Sequence, residues 1–149
     1  MRHYQVNMKN HDSFALKTLA LLGALLMTSN LALAEAKADL TKVPAAAART
    51  GLTYAKDIKP LVEASCLKCH SGDKAKGRYS VETLERLVKG GESGAAVKPG
   101  KSTESPLLLL AADAVKDMEM PPTDKRDKFP ALTKEELALV RAWIDQGAK

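Results

Sequence analysis

Cys66-Leu67-Lys68-Cys69-His70 reads C-x-x-C-H, and the rest of the chain is interpreted outward from it. In this pattern two thiols add across the two vinyl groups of a haem and form thioethers. The two intervening residues make one turn that sets the sulfurs at the vinyl spacing. The histidine follows at once, so its imidazole is placed under the iron as the proximal ligand. Bare C-x-x-C also occurs in zinc sites and in dithiol redox motifs; the fifth residue sharpens the haem reading considerably.

The N-terminus reads as a processing segment. Arg2, Lys9 and Lys17 make a positive n-region, the stretch from Leu19 to Met27 is a short apolar h-region, and Ala32-Leu33-Ala34 is an A-x-A cleavage site. Residues 1–34 are therefore expected to be a secretory signal peptide. A membrane span needs about 20 apolar residues, and Thr28-Ser29-Asn30 interrupts this run, so no stable span is expected after cleavage. Export places the mature chain in the periplasm.

Removing that segment, which carries three basic residues and one acidic one, lowers the formal net charge from +5 to +3. Two haem propionates would bring it to roughly +1. No basic stripe with interleaved aromatics remains, so no nucleic-acid partner is indicated. His3 and His11 leave as well. His70 is then the one histidine of the mature chain, and Cys66 and Cys69 its two cysteines. This excludes a four-ligand Cys/His zinc site, an intrachain bis-histidine haem, and a catalytic triad that spares the haem ligand. A thioredoxin-like dithiol enzyme would need a strand-helix-strand frame, and none is visible. The chain is accordingly read as a non-enzyme.

Residues 35–52 contain Pro44-Ala45-Ala46-Ala47-Ala48 and mixed charge, and are expected to form a flexible Ala-rich spacer. Residues 53–149 are long enough for one core. Their periodicity is helical. Ile58, Leu61 and Val62 suit a short amphipathic helix that begins near Asp57, which keeps Pro60 in its first turn. Ser80 is the expected N-cap of a second helix that ends at Gly90-Gly91. Ser105-Pro106 opens a short helix from Leu107 to about Ala112, apolar nearly all round and expected to be buried. Thr133 and Glu136 form a capping box for the last helix, which carries Leu137, Val140 and Ile144 on one stripe and ends at Gly147. No window shows strand alternation, so the fold class is all-α, and the haem motif makes it a small helical domain around one covalently attached haem c. With four aromatics in the mature chain, the porphyrin supplies flat apolar surface that the core otherwise lacks, and the haem-free chain is expected to be poorly folded.

The sixth iron position is expected to go to a thioether. Met118 and Met120 are the two methionines left after cleavage, in Met118-Glu119-Met120-Pro121-Pro122. Met120 is preferred because the adjacent prolines stiffen the backbone that presents it. Met118, or an open site, remains an alternative.

Taken together, the haem motif, Lys76-Gly77-Arg78-Tyr79-Ser80, Gly90-Gly91-Glu92-Ser93-Gly94, Pro99-Gly100, Ser105-Pro106-Leu107, Met120-Pro121-Pro122 and Trp143-Ile144 with Gly147-Ala148 resemble the planctomycete-type cytochrome c domain. The resemblance runs from about Tyr54 to Lys149. It implies thioethers at Cys66 and Cys69, proximal His70, distal Met120, and one-electron transfer with redox protein partners. The Arg78-Tyr79-Ser80 stretch and the charged run Asp124 to Lys128 depart from the family's pattern. Arg78 and Trp143 are candidate propionate donors, although a solvated Arg78 and a core Trp143 are the more ordinary fates. Gly90, Gly91 and Gly94 are candidates for close backbone approach to the porphyrin, or simply turn glycines. Lys68, Lys74 and Lys76 are candidates for steering an acidic partner.

Three functions fit this reading. The first is an exported single-haem carrier or relay of one electron. The second is the haem subunit of an exported dehydrogenase or oxidase. The third is an open-site haem ligand sensor or peroxidase.

Overall fold

The computed structural model describes residues 37–149. The expected signal peptide, 1–34, lies outside the described residues.

Four α-helices organise the described chain: α1 (Lys59–Ser65), α2 (Leu84–Lys89), α3 (Pro106–Ala111) and α4 (Lys134–Asp145). Single helical turns and loops join them. Among the described residues there is no strand, and one isolated bridge pairs Gly91 with Gly94. The domain is all-α, as expected. None of the described helices is long and apolar enough to cross a membrane.

The three short helices have 6 or 7 residues, too few to persist on propensity alone. Burial holds them. Ile58 and Val62 from the α1 region, Leu87 from α2, Leu108 from α3 and Val140, Trp143 and Ile144 from α4 are all completely buried in one core. Each such side chain contributes about 1.5–3 kcal/mol relative to exposure. The Trp143 ring lies 6.3 Å from that of Tyr54. Its Nε1–H donates to the Lys149 carbonyl at 2.9 Å, which ties the chain end back onto α4.

Local signals set the helix ends. The capping box of α4 is present: Glu136 N–H donates to Thr133 Oγ1, and Thr133 N–H to the Glu136 carboxylate. α1 is preceded by a wide π-helical turn, Tyr54–Ile58, so the helix starts two residues later than expected and Pro60 still falls in its first turn. The second helix departs from expectation. Its N-cap is Thr83, which accepts from Arg86 N–H, and not Ser80. The reason is tertiary: Val81 N–H donates to the His70 carbonyl at 2.9 Å, and the Ser80 hydroxyl bonds Glu82. Those bonds hold 80–82 outside the helix. At Ser105 the expected N-cap position is correct, but its hydroxyl does not cap. It accepts from Lys98 N–H and donates to the Lys101 carbonyl.

The described part of the expected spacer, residues 37–52, makes the contacts of a domain segment. Val43 and Leu52 are buried in the core. Ala47 N–H donates to Ala138 O at 3.0 Å, Asp39 N–H to Ala114 O at 2.7 Å, and Arg141 to the Pro44 carbonyl at 2.6 Å. Two isolated apolar residues and a run of backbone bonds leave no periodicity to read. A low-complexity stretch therefore resembles a tether in sequence while lying against α4.

Candidate functional site

The haem motif follows directly from the end of α1. Cys66 N–H closes the last helical bond to Val62 O, and Cys69 N–H and His70 N–H both donate to the Cys66 carbonyl, at 3.2 and 3.0 Å. The chain thus turns sharply between the two cysteines and delivers His70 immediately after. Cys66 and His70 line a cavity of about 270 Å³. Cys69 is half-buried in the same turn but is not on the cavity wall. Met118, Met120 and the buried Pro121 line the cavity too, so the motif and the methionine loop meet there although some 50 residues separate them.

The remaining lining is mostly apolar and comes from the segment Gly91 to Ala96 and from α3. Pro106, Leu107, Leu110 and Ala111 face the cavity while Leu108 enters the core. This corrects the expectation of a helix buried all round: Leu107 and Leu110 are only half-buried, because their side of the helix is cavity wall.

His70 is oriented by the backbone. Its Nδ1 lies 3.2 Å from the Tyr79 carbonyl oxygen, and the two rings pack with centroids 5.2 Å apart. A carbonyl only accepts, so Nδ1 carries the proton and the Nε2 lone pair is available to a metal. Burial, aided by the neighbouring Cys69, pushes the Cys66 thiol up to about 11. Tyr79 also lines the cavity. Burial raises its phenol well above the ordinary value, and its hydroxyl is buried with no hydrogen-bond partner. A buried donor left unpaired is costly unless something polar completes it.

These residues fit the group that C-x-x-C-H implies. An apolar cavity receives a flat apolar macrocycle. A tautomer-fixed imidazole and a methionine sulfur are iron ligands of the types that c-type haems use, and two cysteines are there to attach the ring. The orphaned Tyr79 hydroxyl offers a donor to a polar substituent.

Other candidates take other places. Arg78 is 84% exposed and pairs with Glu92 at 3.2 Å. Trp143 spends its N–H on Lys149 and stays in the core. Gly90 and Gly91 are glycines because backbone approaches backbone. A Cβ on Gly90 would sit 1.9 Å from the Gly94 carbonyl oxygen, and one on Gly91 2.2 Å from that of Gly77. Gly94 lines the cavity with open space beside it. Of the three lysines near the motif, Lys76 borders the cavity.

Sequence reasoning missed two contributors. Tyr79 acts on His70 through its carbonyl, which no residue type reveals. Glu82 ties the loop after the motif to the segment before α2, accepting from Gly72 N–H at 3.0 Å and the Ser80 hydroxyl at 2.9 Å. A serine followed two residues later by a carboxylate, Ser80 and Glu82, is the only sequence signal of that tie.

The family model described as Planctomycete cytochrome C matches residues 66–124. That span opens on Cys66 and includes His70, Gly91, α3 and Met120. No curated protein and no solved structure matches the chain.

Proposed function

Residues 66–124 form a planctomycete-type cytochrome c domain, and from that premise we propose that the protein is an exported, periplasmic, single-haem electron carrier that relays one electron between redox protein partners and is not itself an enzyme. The observation that carries this reading is that Cys66, His70 and Met120 line the same apolar cavity.

Bound haem c supplies a one-electron ferric/ferrous couple. The chain's own residues do the rest. Cys66 and Cys69 would hold the group through thioethers. His70 presents Nε2 because Tyr79 O holds Nδ1–H. Met120 provides a soft sulfur that favours ferrous iron. α3 and Pro121 exclude water from one side, which lowers the reorganisation that accompanies a change of charge. Lys76 at the cavity rim favours an acidic partner.

Met120 is preferred to Met118 because its backbone is anchored to α3: Met120 N–H donates to Leu110 O at 3.0 Å, whereas Met118 N–H closes a local turn to Val115 O. Met118 is also the more exposed, at 48% against 37%.

A haem-stained denaturing gel and a reduced-minus-oxidised spectrum test the assignment, with Met120→Ala and Met118→Ala alongside. Met120→Ala should abolish the methionine–iron absorption band and open the reduced protein to carbon monoxide. Loss of the band in Met118→Ala alone would reassign the ligand, and absence of covalent haem would refute the reading. The mass of the mature chain tests export, with Glu35 as the expected first residue.

A further inference from the structure

The prolines after Met120 stiffen the loop but lack N–H groups to anchor it. Attachment comes from elsewhere. Arg126 Nη2 lies 2.6 Å from Asp113 Oδ1 and Nη1 2.9 Å from Oδ2, a two-pronged pair. A third donor of the same guanidinium, Nε–H, reaches the Pro121 carbonyl at 3.1 Å. Asp113 follows the C-terminal end of α3, where its own carbonyl receives Lys42 Nζ at 2.8 Å. The Met120-Pro121 unit is therefore tied to the end of α3 twice, once by Met120 N–H to Leu110 and once by Pro121 O through Arg126 to Asp113. The paired side chains are only 26% and 33% exposed, so solvent screens them less than a surface pair. Two-pronged geometry fixes direction as well as distance.

We propose that Arg126, braced by Asp113, is a positioning residue that holds the Met120 sulfur over the cavity and so sets how readily an outside ligand displaces it. This rests on Met120 as the axial ligand. The guanidinium touches neither the sulfur nor the cavity; it acts through the Pro121 carbonyl, as outer partners of metal ligands do. Lysine cannot replace it, since an ammonium cannot span a carboxylate and a carbonyl in one fixed plane.

The test is imidazole titration of the mature, haem-loaded protein, followed by the Soret shift, with the methionine–iron band recorded beside it. Arg126→Gln and Asp113→Asn should each bind imidazole about tenfold more tightly and show a weakened band, with helical circular dichroism unchanged. Arg126→Lys should not restore the original affinity. Asp113 has φ +55°, a conformation asparagine tolerates, so Asp113→Asn decides if Arg126→Gln does not fold. Val140→Ala, in the core on α4 and off the cavity wall, should lower stability without changing imidazole affinity. Unchanged affinity in the folded clamp variants overturns the proposal, as does an equal gain in Val140→Ala. Met120→Ala separates the layers. If it binds imidazole no more tightly than the parent, the ligand assignment fails and takes the clamp with it. If it binds far more tightly while the clamp variants do not, the clamp alone fails.

Discussion

His70 Nδ1 lies 3.2 Å from the backbone carbonyl oxygen of Tyr79. This one contact sets the imidazole tautomer, and it depends on how the 79–81 segment is pinned. Val81 N–H donates to His70 O at 2.9 Å, and the Val81 carbonyl receives the buried Tyr54 hydroxyl at 2.6 Å. The turn before α1, the haem motif and the lead into α2 are thereby joined.

Tyr54→Phe removes that hydroxyl and strands a buried carbonyl. It should cost about 1–3 kcal/mol, read from denaturant unfolding of the haem-loaded protein. A change under a few tenths of a kcal/mol would mean that water replaces the bond.

Gly91→Ala should be costly for a steric reason. Its Cβ would lie 2.2 Å from Gly77 O and 2.9 Å from Tyr79 N, so the backbone that holds His70 must move. A loss of about 1–3 kcal/mol is expected, together with altered haem absorption. Gly72→Ala, where open space surrounds the Cβ but φ is +67°, should cost only the backbone strain and leave the spectrum as it was.

Glu82 links acid stability to the site. The Gly72 N–H and then the Ser80 hydroxyl hold its carboxyl below the ordinary value. A depressed folded-state value contributes stability above the ordinary carboxylate range, lost as pH falls through the depressed value. The melting-temperature gap between the parent and Glu82→Gln should therefore be full at pH 6 and shrink below about pH 4. A gap that does not vary with pH would show that the charge is not what matters.

The double variant Cys66→Ala/Cys69→Ala should carry no covalent haem on a denaturing gel. Purified without haem, it should melt about 10 °C or more below the parent, or without cooperativity. The half-buried side of α3 is the reason, since it then faces an empty apolar cavity. A cooperative melt close to the parent's would show that the core suffices alone.

Much of this was legible from residue types. C-x-x-C-H, the Thr133/Glu136 capping box, Pro106 at a helix start and the Leu137–Val140–Ile144 stripe are local patterns, each of whose chemistry or geometry is set within eight residues or fewer. Such signals survive without tertiary context. Ser80 shows the limit: as a residue type it is a good N-cap, but His70 O takes the Val81 N–H and the helix begins at Thr83 instead. Residues 37–52 show it again, because backbone bonds to α4 and two lone apolar residues leave no periodic trace.

By itself, then, the sequence determined the haem-binding motif, the all-α class and a short list of two methionines for the remaining iron position, because each follows from covalent chemistry, local propensity or simple inventory. Only the tertiary structure decided that Tyr79 O fixes the His70 tautomer, that α3 offers one side to the cavity, and that Arg126 ties Pro121 to Asp113. Those depend on backbone carbonyls and on residues far apart in the chain. A carbonyl has no letter in a sequence, and distance along the chain says nothing about which groups folding brings within 3 Å.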